Sequence, residues 1–111
     1  MMSEALDAED TKLLTLARGA RARISAVEGA AIRDEMGRTY SAATVDNGTL
    51  SITALDLAVA QAISAGARGA EAAVVVGTES VEIDALRSLA GEGVPVYVCS
   101  VAGDVTDTVL T

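Results

Sequence analysis

The chain contains no histidine, no tryptophan and no phenylalanine, and its 111 residues include one cysteine and one proline. Without histidine there is no imidazole to act as a general base, and neither a Ser–His nor a Cys–His pair can form. Zinc sites that use histidine are excluded as well, and Cys99 alone cannot build a cysteine-rich site. One cysteine allows no intrachain disulfide, which favours a reducing, cytoplasmic location.

Long apolar runs and an excess of positive charge are also missing. No stretch approaches the roughly 20 apolar residues that span a bilayer, and no pattern of a signal peptide is present, so we expect no membrane contact. The formal net charge is −8, which repels the phosphates of nucleic acids. Tyr40 and Tyr97 are the only aromatic side chains that could stack on bases, and nucleic-acid binding is therefore not expected.

Half of the residues are apolar and 22% are charged, which predicts one globular domain over residues 1–111. Seven arginines against one lysine, together with 22 alanines, are typical of a GC-rich bacterial genome. The arginines concentrate near the start of the chain. Two interpretations of this cluster are open, a solvated helix face with a hairpin or an anion-binding patch, and its members are Arg18, Arg21, Arg23, Arg33 and Arg38.

The first half of the chain predicts a helix, a hairpin and a second helix. Apolar residues recur at helical spacing over 7–22, after a frayed start at residues 1–6. Residues 26–45 predict a β-hairpin that turns at 34–37. Thr49 or Ser51 can cap the next helix, which we expect to end near Ser64, and Asp46-Asn47-Gly48 before it predicts a turn with an Asx interaction.

The second half predicts a strand, a helix and a strand. The apolar run 72–76 is typical of a central parallel strand. Thr78 is the expected cap of the following helix, with Glu79 and Glu82 in its first turn. Residues 94–99 form the next strand, in which Cys99 is a buried core thiol, and residues 104–110 are either a short strand or a short helix.

This order of elements and several of its turn segments resemble the cytidine deaminase family of zinc-dependent nucleoside deaminases. The matching segments are Glu28-Gly29-Ala30-Ala31-Ile32, Gly37-Arg38-Thr39-Tyr40, Val45-Asp46-Asn47 and Ala62-Ile63-Ser64-Ala65-Gly66, beside the family's V-G-A-A-L, D-G-x-x-Y, N-x-E-N and A-V-S-E-G. The resemblance implies an α/β fold of three layers, α/β/α, around a mixed sheet of about four to five strands.

The resemblance also shows which residues the chemistry would need. The family holds zinc with a C-A-E or H-A-E motif and a P-C-x-x-C motif, and the glutamate of the first motif shuttles protons. The corresponding positions here are Thr53 and Leu55 in the first motif, and Glu79 and Glu82 in the second. No zinc ligand and no proton shuttle remain, so the resemblance implies no cofactor and no deaminase catalysis.

The substrate side of the implied pocket differs from the family in the same way. Ala26 stands where the family stacks a phenylalanine on the base, and Thr44 stands at the position of a ribose-binding asparagine. Asp46 matches a ribose-binding glutamate and is one carbon shorter.

Three functions remain open: a non-catalytic structural or binding subunit, a small-molecule sensor with a remodelled nucleoside pocket, and an enzyme that uses carboxylates. The last would hold Mg²⁺ or Mn²⁺ between Asp46, Glu79 and Glu82, with Asp84 nearby. Favourable placement against a helix dipole is the plainer explanation of the glutamates.

The helix at 51–64 is apolar nearly all round, with Asp56 as its one charge. Such a helix is buried on several sides, which in a chain of this size indicates a subunit interface. We therefore expect a homo-oligomer, a tetramer as the family resemblance implies and otherwise a dimer. An unidentified protein partner also remains open.

Overall fold

The computed structural model describes residues 6–111. Within them, a mixed five-stranded sheet has helices on both faces, and the implied three-layer α/β fold is confirmed. The three helices are α1 (Ala8–Ile24), α2 (Ala54–Ser64) and α3 (Asp84–Ala90). The strands are β1 (Gly29–Asp34), β2 (Thr39–Ala43), β3 (Val45–Asp46), β4 (Ser51–Ile52), β5 (Ala70–Val76), β6 (Pro95–Cys99) and β7 (Val105–Leu110).

The sheet has the order β2-β1-β5-β6-β7. Strands β5 and β6 are parallel, and every other neighbouring pair is antiparallel. Strands β1 and β2 form the predicted hairpin, with Gly29 opposite Ala43 and the main-chain N–H of Gly37 closing the turn on the Asp34 carbonyl at 3.1 Å. The parallel pair ends at one edge of the sheet, which is where ligands bind in open α/β folds.

Strand β5 lies at the centre because its side chains are apolar on both faces. Ala73 and Val75 face the core under α2 and α3, whereas Val74 and Val76 face the core under α1. Helix α1 begins at its N-cap Asp7, whose carboxylate accepts the N–H of Asp10 at 2.7 Å.

Helix α2 begins later than predicted, because residues 45–52 form a small ribbon. Strands β3 and β4 pair around the predicted Asx turn, in which the Asn47 side chain accepts the N–H of Leu50 at 3.0 Å. Ser51 belongs to β4 and Thr49 precedes it, so neither caps the helix. The cap is Thr53, whose hydroxyl accepts the N–H of Asp56 at 3.2 Å.

Helix α3 also begins later than predicted, and Thr78 is not its cap. The Thr78 hydroxyl donates to the Ser80 carbonyl at 2.8 Å and accepts the Ser80 N–H at 3.3 Å. That local turn keeps residues 78–83 out of the helix, which starts at Asp84 after Ile83 with no side-chain cap. Glu79 and Glu82 therefore lie in a loop and not in a first helical turn.

The chain ends in two antiparallel strands, β6 and β7. Residues 104–110 contain a strand, β7, which pairs with β6. Pro95 is the first residue of β6, a position that needs no ladder donor from its nitrogen. Apart from Leu6, the predicted frayed start lies outside the described residues. Within residues 6–111, no helix combines the length and the apolar character that crossing a membrane would require.

Candidate functional site

The positions at which the family resemblance places the zinc ion surround a small cavity between β5, the start of α2 and the loop before α3. This inner cavity has a volume of about 200 Å³. Its lining residues are Glu28, Thr53, Leu55, Val75, Thr78, Ser80, Val81 and Glu82. Three of them, Thr53, Leu55 and Glu82, are among the site positions that the sequence singled out.

Leu55 occupies the position of the proton-shuttling glutamate and is 2% exposed. Its side chain belongs to the core that α2 and α3 share with the sheet. The side chain thus fills part of the space in which the family carries an acid. A buried leucine contributes about 1.5–3 kcal/mol to the stability of the fold, whereas an unpaired carboxylate there would be costly.

Glu28 brings a carboxylate to the same cavity from the residue before β1. Its Oε1 lies 3.4 Å from the main-chain nitrogen of Ala54, at the start of α2, and 3.4 Å from the Thr44 hydroxyl. Both distances are at the long end for hydrogen bonds, and Glu28 is half-buried. The carboxylate can therefore move to a new partner at little cost.

In the sequence Glu28 was visible only as part of a scaffold motif, and it was missed as a site residue. The sequence does carry a sign of its role, because the family has valine at this position. A carboxylate in place of an apolar side chain, next to a segment predicted to line a pocket, indicates a polar role.

The substrate-side positions line a second depression, the outer cavity, of about 400 Å³. Its lining residues are Ile24, Ser25, Ala26, Val27, Thr44, Val45 and Asp46. Thr44 joins the outer cavity to the inner one, because its hydroxyl also accepts the Glu28 N–H at 3.0 Å. Ala26, Thr44 and Asp46 are thus brought together.

Glu79 lies apart from the other site positions. It lines a different cavity from Glu82, whereas Thr78 lines both of these cavities. The carboxylates of the hard-cation hypothesis are therefore spread over three cavities, with Asp46 in the third. Nowhere in residues 6–111 do three Asp, Glu, Cys or His side chains gather into a group that could hold a metal ion.

The zinc ion that the resemblance implies does not fit the donors at this place. Zinc sites in proteins use thiolate, imidazole and carboxylate ligands, four of them in a structural site and three plus water in a catalytic one. The inner cavity offers two carboxylates, Glu28 and Glu82, beside hydroxyls and aliphatic groups. No step of a mechanism can be assigned to zinc with these residues.

The groups whose pKa departs from its ordinary value lie outside both cavities. Burial alone would raise the pKa of the Asp34 carboxyl, but hydrogen bonds from the Tyr40 hydroxyl and the N–H groups of Arg38 and Met36, with the Arg38 charge, lower it. Burial raises the pKa of the Cys99 thiol, and the predicted core position of this residue is confirmed. The pKa values of Arg33 and Tyr40 are also raised, and none of these four groups lines the inner or the outer cavity.

Comparison with known proteins identifies the family and the fold. The family model described as cytidine deaminase-like matches residues 6–103. The solved structure of cytidine deaminase from Burkholderia pseudomallei is 26% identical with a TM-score of 0.71, and the match covers 91% of this chain and 90% of that one. The cytidine deaminase from Mycobacterium leprae, 18% identical with a TM-score of 0.69 and 94% of each chain covered, is similar in fold. A comparison with curated proteins found no match. By the family match, the chain belongs to the cytidine deaminase-like family.

Proposed function

We propose that the chain is a non-catalytic protein of the cytidine deaminase fold that acts as a structural or binding subunit. The observation that carries the proposal is the lining of the inner cavity. Where the family holds zinc and a glutamate, this chain has Thr53, Glu82 and the buried Leu55.

Deamination needs an activated water molecule and a group that carries its proton. Zinc lowers the pKa of bound water to about 7, from about 16 in bulk water. The donors of the inner cavity do not form a zinc site, and an aliphatic side chain at position 55 cannot carry a proton. Glu28 could carry one, but without metal activation the attacking water stays a poor nucleophile at neutral pH.

The outer cavity supports the same conclusion. Ala26 provides no ring on which a base could stack, and stacking is worth about 1–3 kcal/mol per base. Thr44 is occupied by hydrogen bonds to Glu28, so its hydroxyl is not free for a ribose. Asp46 alone keeps a carboxylate where the resemblance implies a ribose contact.

A deamination assay with added zinc tests the proposal. We expect no conversion of cytidine or deoxycytidine above the blank, while a zinc-dependent cytidine deaminase assayed in parallel is active. We also expect elemental analysis to find no stoichiometric zinc. Turnover by the zinc-supplemented protein that is lost in Glu28→Gln would overturn the proposal, as would one zinc per chain that is lost in Glu82→Gln.

A sensor with a remodelled pocket is the second candidate, and the weakly held carboxylate of Glu28 favours it. A ligand that offers two donors could displace the contacts at 3.4 Å and gain a charge-assisted pair. A thermal-shift screen of nucleosides tests this candidate, since a ligand that binds only the folded protein raises its melting temperature. Loss of the shift in Glu28→Gln would assign the effect to the inner cavity.

We further propose that the protein is a homo-oligomer, a tetramer or otherwise a dimer. One face of α2 is buried within its own chain. Less apolar surface of α2 is therefore left for a partner than the sequence suggested. Ile63, which is 56% exposed, and Ala60 remain on the outer face of the helix, where a second copy could cover them. Light scattering coupled to size exclusion decides this, and Ile63→Glu should shift the mass to that of a monomer. A monomer mass for the wild type would overturn it.

A further inference from the structure

On the α1 side of the sheet, two arginines line a cavity of about 380 Å³, which we term the arginine cavity. They are Arg18 and Arg21, one turn apart on α1, and the rest of the lining is Thr15, Gly19, Ala22, Val76 and Val101. The inner cavity lies on the side of α2 and α3. An inference that rests on Arg18 and Arg21, neither of which lines the inner cavity, therefore does not depend on whether the chain deaminates nucleosides.

The two arginines differ from others in the basic cluster because no carboxylate of residues 6–111 pairs with them. Arg33 binds Asp10 at 3.0 Å and Glu71 at 2.9 Å, and Arg38 binds Asp34 at 2.9 Å. Neither Arg18 nor Arg21 takes part in an ion pair of the described part of the chain. In a chain with a net charge of −8, two unpaired guanidinium groups beside a cavity are available to an external anion.

Both guanidinium groups lie close to glycines, Gly77 directly after β5 and Gly103 in the turn between β6 and β7. A Cβ atom on Gly77 would lie 3.4 Å from Arg21 Nε, and one on Gly103 would lie 3.1 Å from Arg18 Nη1. Arg21 Nε also donates to the Val27 carbonyl at 3.4 Å, which leaves its Nη groups for another partner. That hydrogen bond partly preorganises Arg21, which lowers the entropic cost of binding.

The helix dipole explains only part of this arrangement. Arg21 and Arg23 lie in the last turn of α1, where a positive charge is favourable. Arg18 lies before that turn, and the effect of the dipole falls off within one turn. Its position over Gly103 and beside the cavity needs another explanation.

A polar cavity of about 540 Å³ adjoins the arginine cavity, and Val101 lines both. The polar cavity lies at the carboxyl ends of the parallel strands β5 and β6, where open α/β folds bind ligands. Its polar side chains are three hydroxyl groups and two carboxylates, from Thr78, Ser100, Thr106, Glu79 and Asp107. Carboxylates accept hydrogen bonds from the hydroxyl groups of a sugar-like body and repel a second anion.

We propose that the two cavities together bind a phosphorylated, hydroxyl-rich small molecule. Its phosphate would lie between Arg18 and Arg21, since guanidinium groups bind phosphate with charge-assisted, bidentate hydrogen bonds. Its hydroxylated body would extend past Val101 towards Asp107 and Glu79. The proposal limits the anion-binding interpretation of the basic cluster to two of its five arginines.

Isothermal titration calorimetry on the full chain tests the proposal with ribose 5-phosphate, ribose and inorganic phosphate as probes. We expect ribose 5-phosphate to bind in the millimolar range or tighter, inorganic phosphate more weakly, and ribose not at all. Arg18→Gln and Arg21→Gln should each weaken ribose 5-phosphate by roughly tenfold or more, the loss expected for a hydrogen bond to a charged group. Arg23→Gln is the matched control, because it removes the same charge from the same helix end outside both cavities, and should leave binding unchanged.

Asp107→Asn separates the two parts of the site. It should weaken the binding of ribose 5-phosphate while leaving the binding of inorganic phosphate unchanged or tighter.

No binding of ribose 5-phosphate at millimolar concentrations would overturn the proposal, as would an equal loss of affinity in Arg23→Gln. Equal affinities for ribose 5-phosphate and inorganic phosphate would overturn the polar-cavity part. Circular dichroism shows whether each variant folds. Arg18→Gln removes no intrachain hydrogen bond identified in residues 6–111, so it still tests the proposal if Arg21→Gln fails to fold.

Discussion

Strand β1 has a carboxylate at each end, Asp34 at its last residue and Glu28 immediately before its first. Asp34 is fully buried and accepts four hydrogen bonds of 2.7–2.9 Å, from two main-chain N–H groups, the Arg38 guanidinium and the Tyr40 hydroxyl. Glu28 is half-buried, and its carboxylate has two contacts at 3.4 Å. The carboxylate at one end of β1 thus accepts short hydrogen bonds, whereas the carboxylate at the other end has only long contacts.

The difference shows which end is structural and which is the candidate site. A buried carboxylate with all its partners fixes the turn between β1 and β2, and its lowered pKa is a consequence of that bonding. The Glu28 carboxylate lies at the N-terminus of α2 and has only long contacts, so it can still bind a ligand. The lowered pKa of Asp34 therefore marks the scaffold, although such shifts often mark active sites in enzymes.

The largest expected effect comes from Asp34→Ala. The change leaves two main-chain N–H groups and the Tyr40 hydroxyl without their acceptor and removes the charge opposite Arg38. We expect the free energy of unfolding to fall by about 3 kcal/mol, as measured by urea denaturation. Asp46→Ala, on an exposed residue of β3, is the control and should cost about 0.5 kcal/mol or less. Similar losses in the two variants would contradict the structural role of Asp34.

The pH dependence of the free energy of unfolding tests whether the charge of the Asp34 carboxylate stabilises the turn. Because the folded-state pKa of Asp34 is lowered, its contribution is complete above the ordinary aspartate pKa of about 3.9 and is lost as the pH falls through the folded-state value. The stability difference between wild type and Asp34→Ala should therefore stay constant from neutral pH down to about pH 5 and shrink below pH 4. A difference that is unchanged at pH 3 would show that the carboxylate charge is not what stabilises the turn.

A somewhat smaller effect is expected from Leu55→Glu, in the first turn of α2. The side chain is 2% exposed, and its replacement would place a carboxylate in the cavity that already holds those of Glu28 and Glu82. We expect a loss of roughly 2 kcal/mol in the free energy of unfolding. Leu55→Met, which conserves volume, should cost less than about 1 kcal/mol. An unchanged melting temperature of Leu55→Glu would mean that position 55 does not face the core.

Sequence reasoning predicted the fold well because apolar periodicity and turn residues are local signals. The hairpin and the central strand at 72–76 both follow from spacing along the chain. The late starts of α2 and α3 were missed, since Thr49, Ser51 and Thr78 are all good caps by residue type. Whether such a hydroxyl caps a helix or a turn depends on what the next residues pair with, and that is decided in three dimensions.

The candidate site was predicted less completely than the fold. The sequence placed Glu79 and Glu82 on one helical turn, and the extended loop sends them to different cavities. The carboxylate of Glu28 reaches α2 across 26 residues of chain, a contact that no local pattern indicates. The arginine pair was visible as part of a cluster, but only the ion pairs of Arg33 and Arg38 show which members remain without a partner.

The smallest expected effect comes from Glu28→Val, which restores the family's residue and sharpens the comparison most. The two lost contacts are long, and a half-buried carboxylate beside Leu55 and Val75 gives up part of its hydration to lie there. Valine is also a better residue for the start of a strand. We therefore expect the free energy of unfolding to change by less than about 1 kcal/mol, well below the loss in Asp34→Ala. Glu28→Gln, which keeps the shape and one acceptor oxygen, is the matched control. If Glu28→Val instead costs as much as Asp34→Ala, the Glu28 carboxylate is a structural link between β1 and α2, and Glu82 is the one acid of the inner cavity that stays available to a ligand.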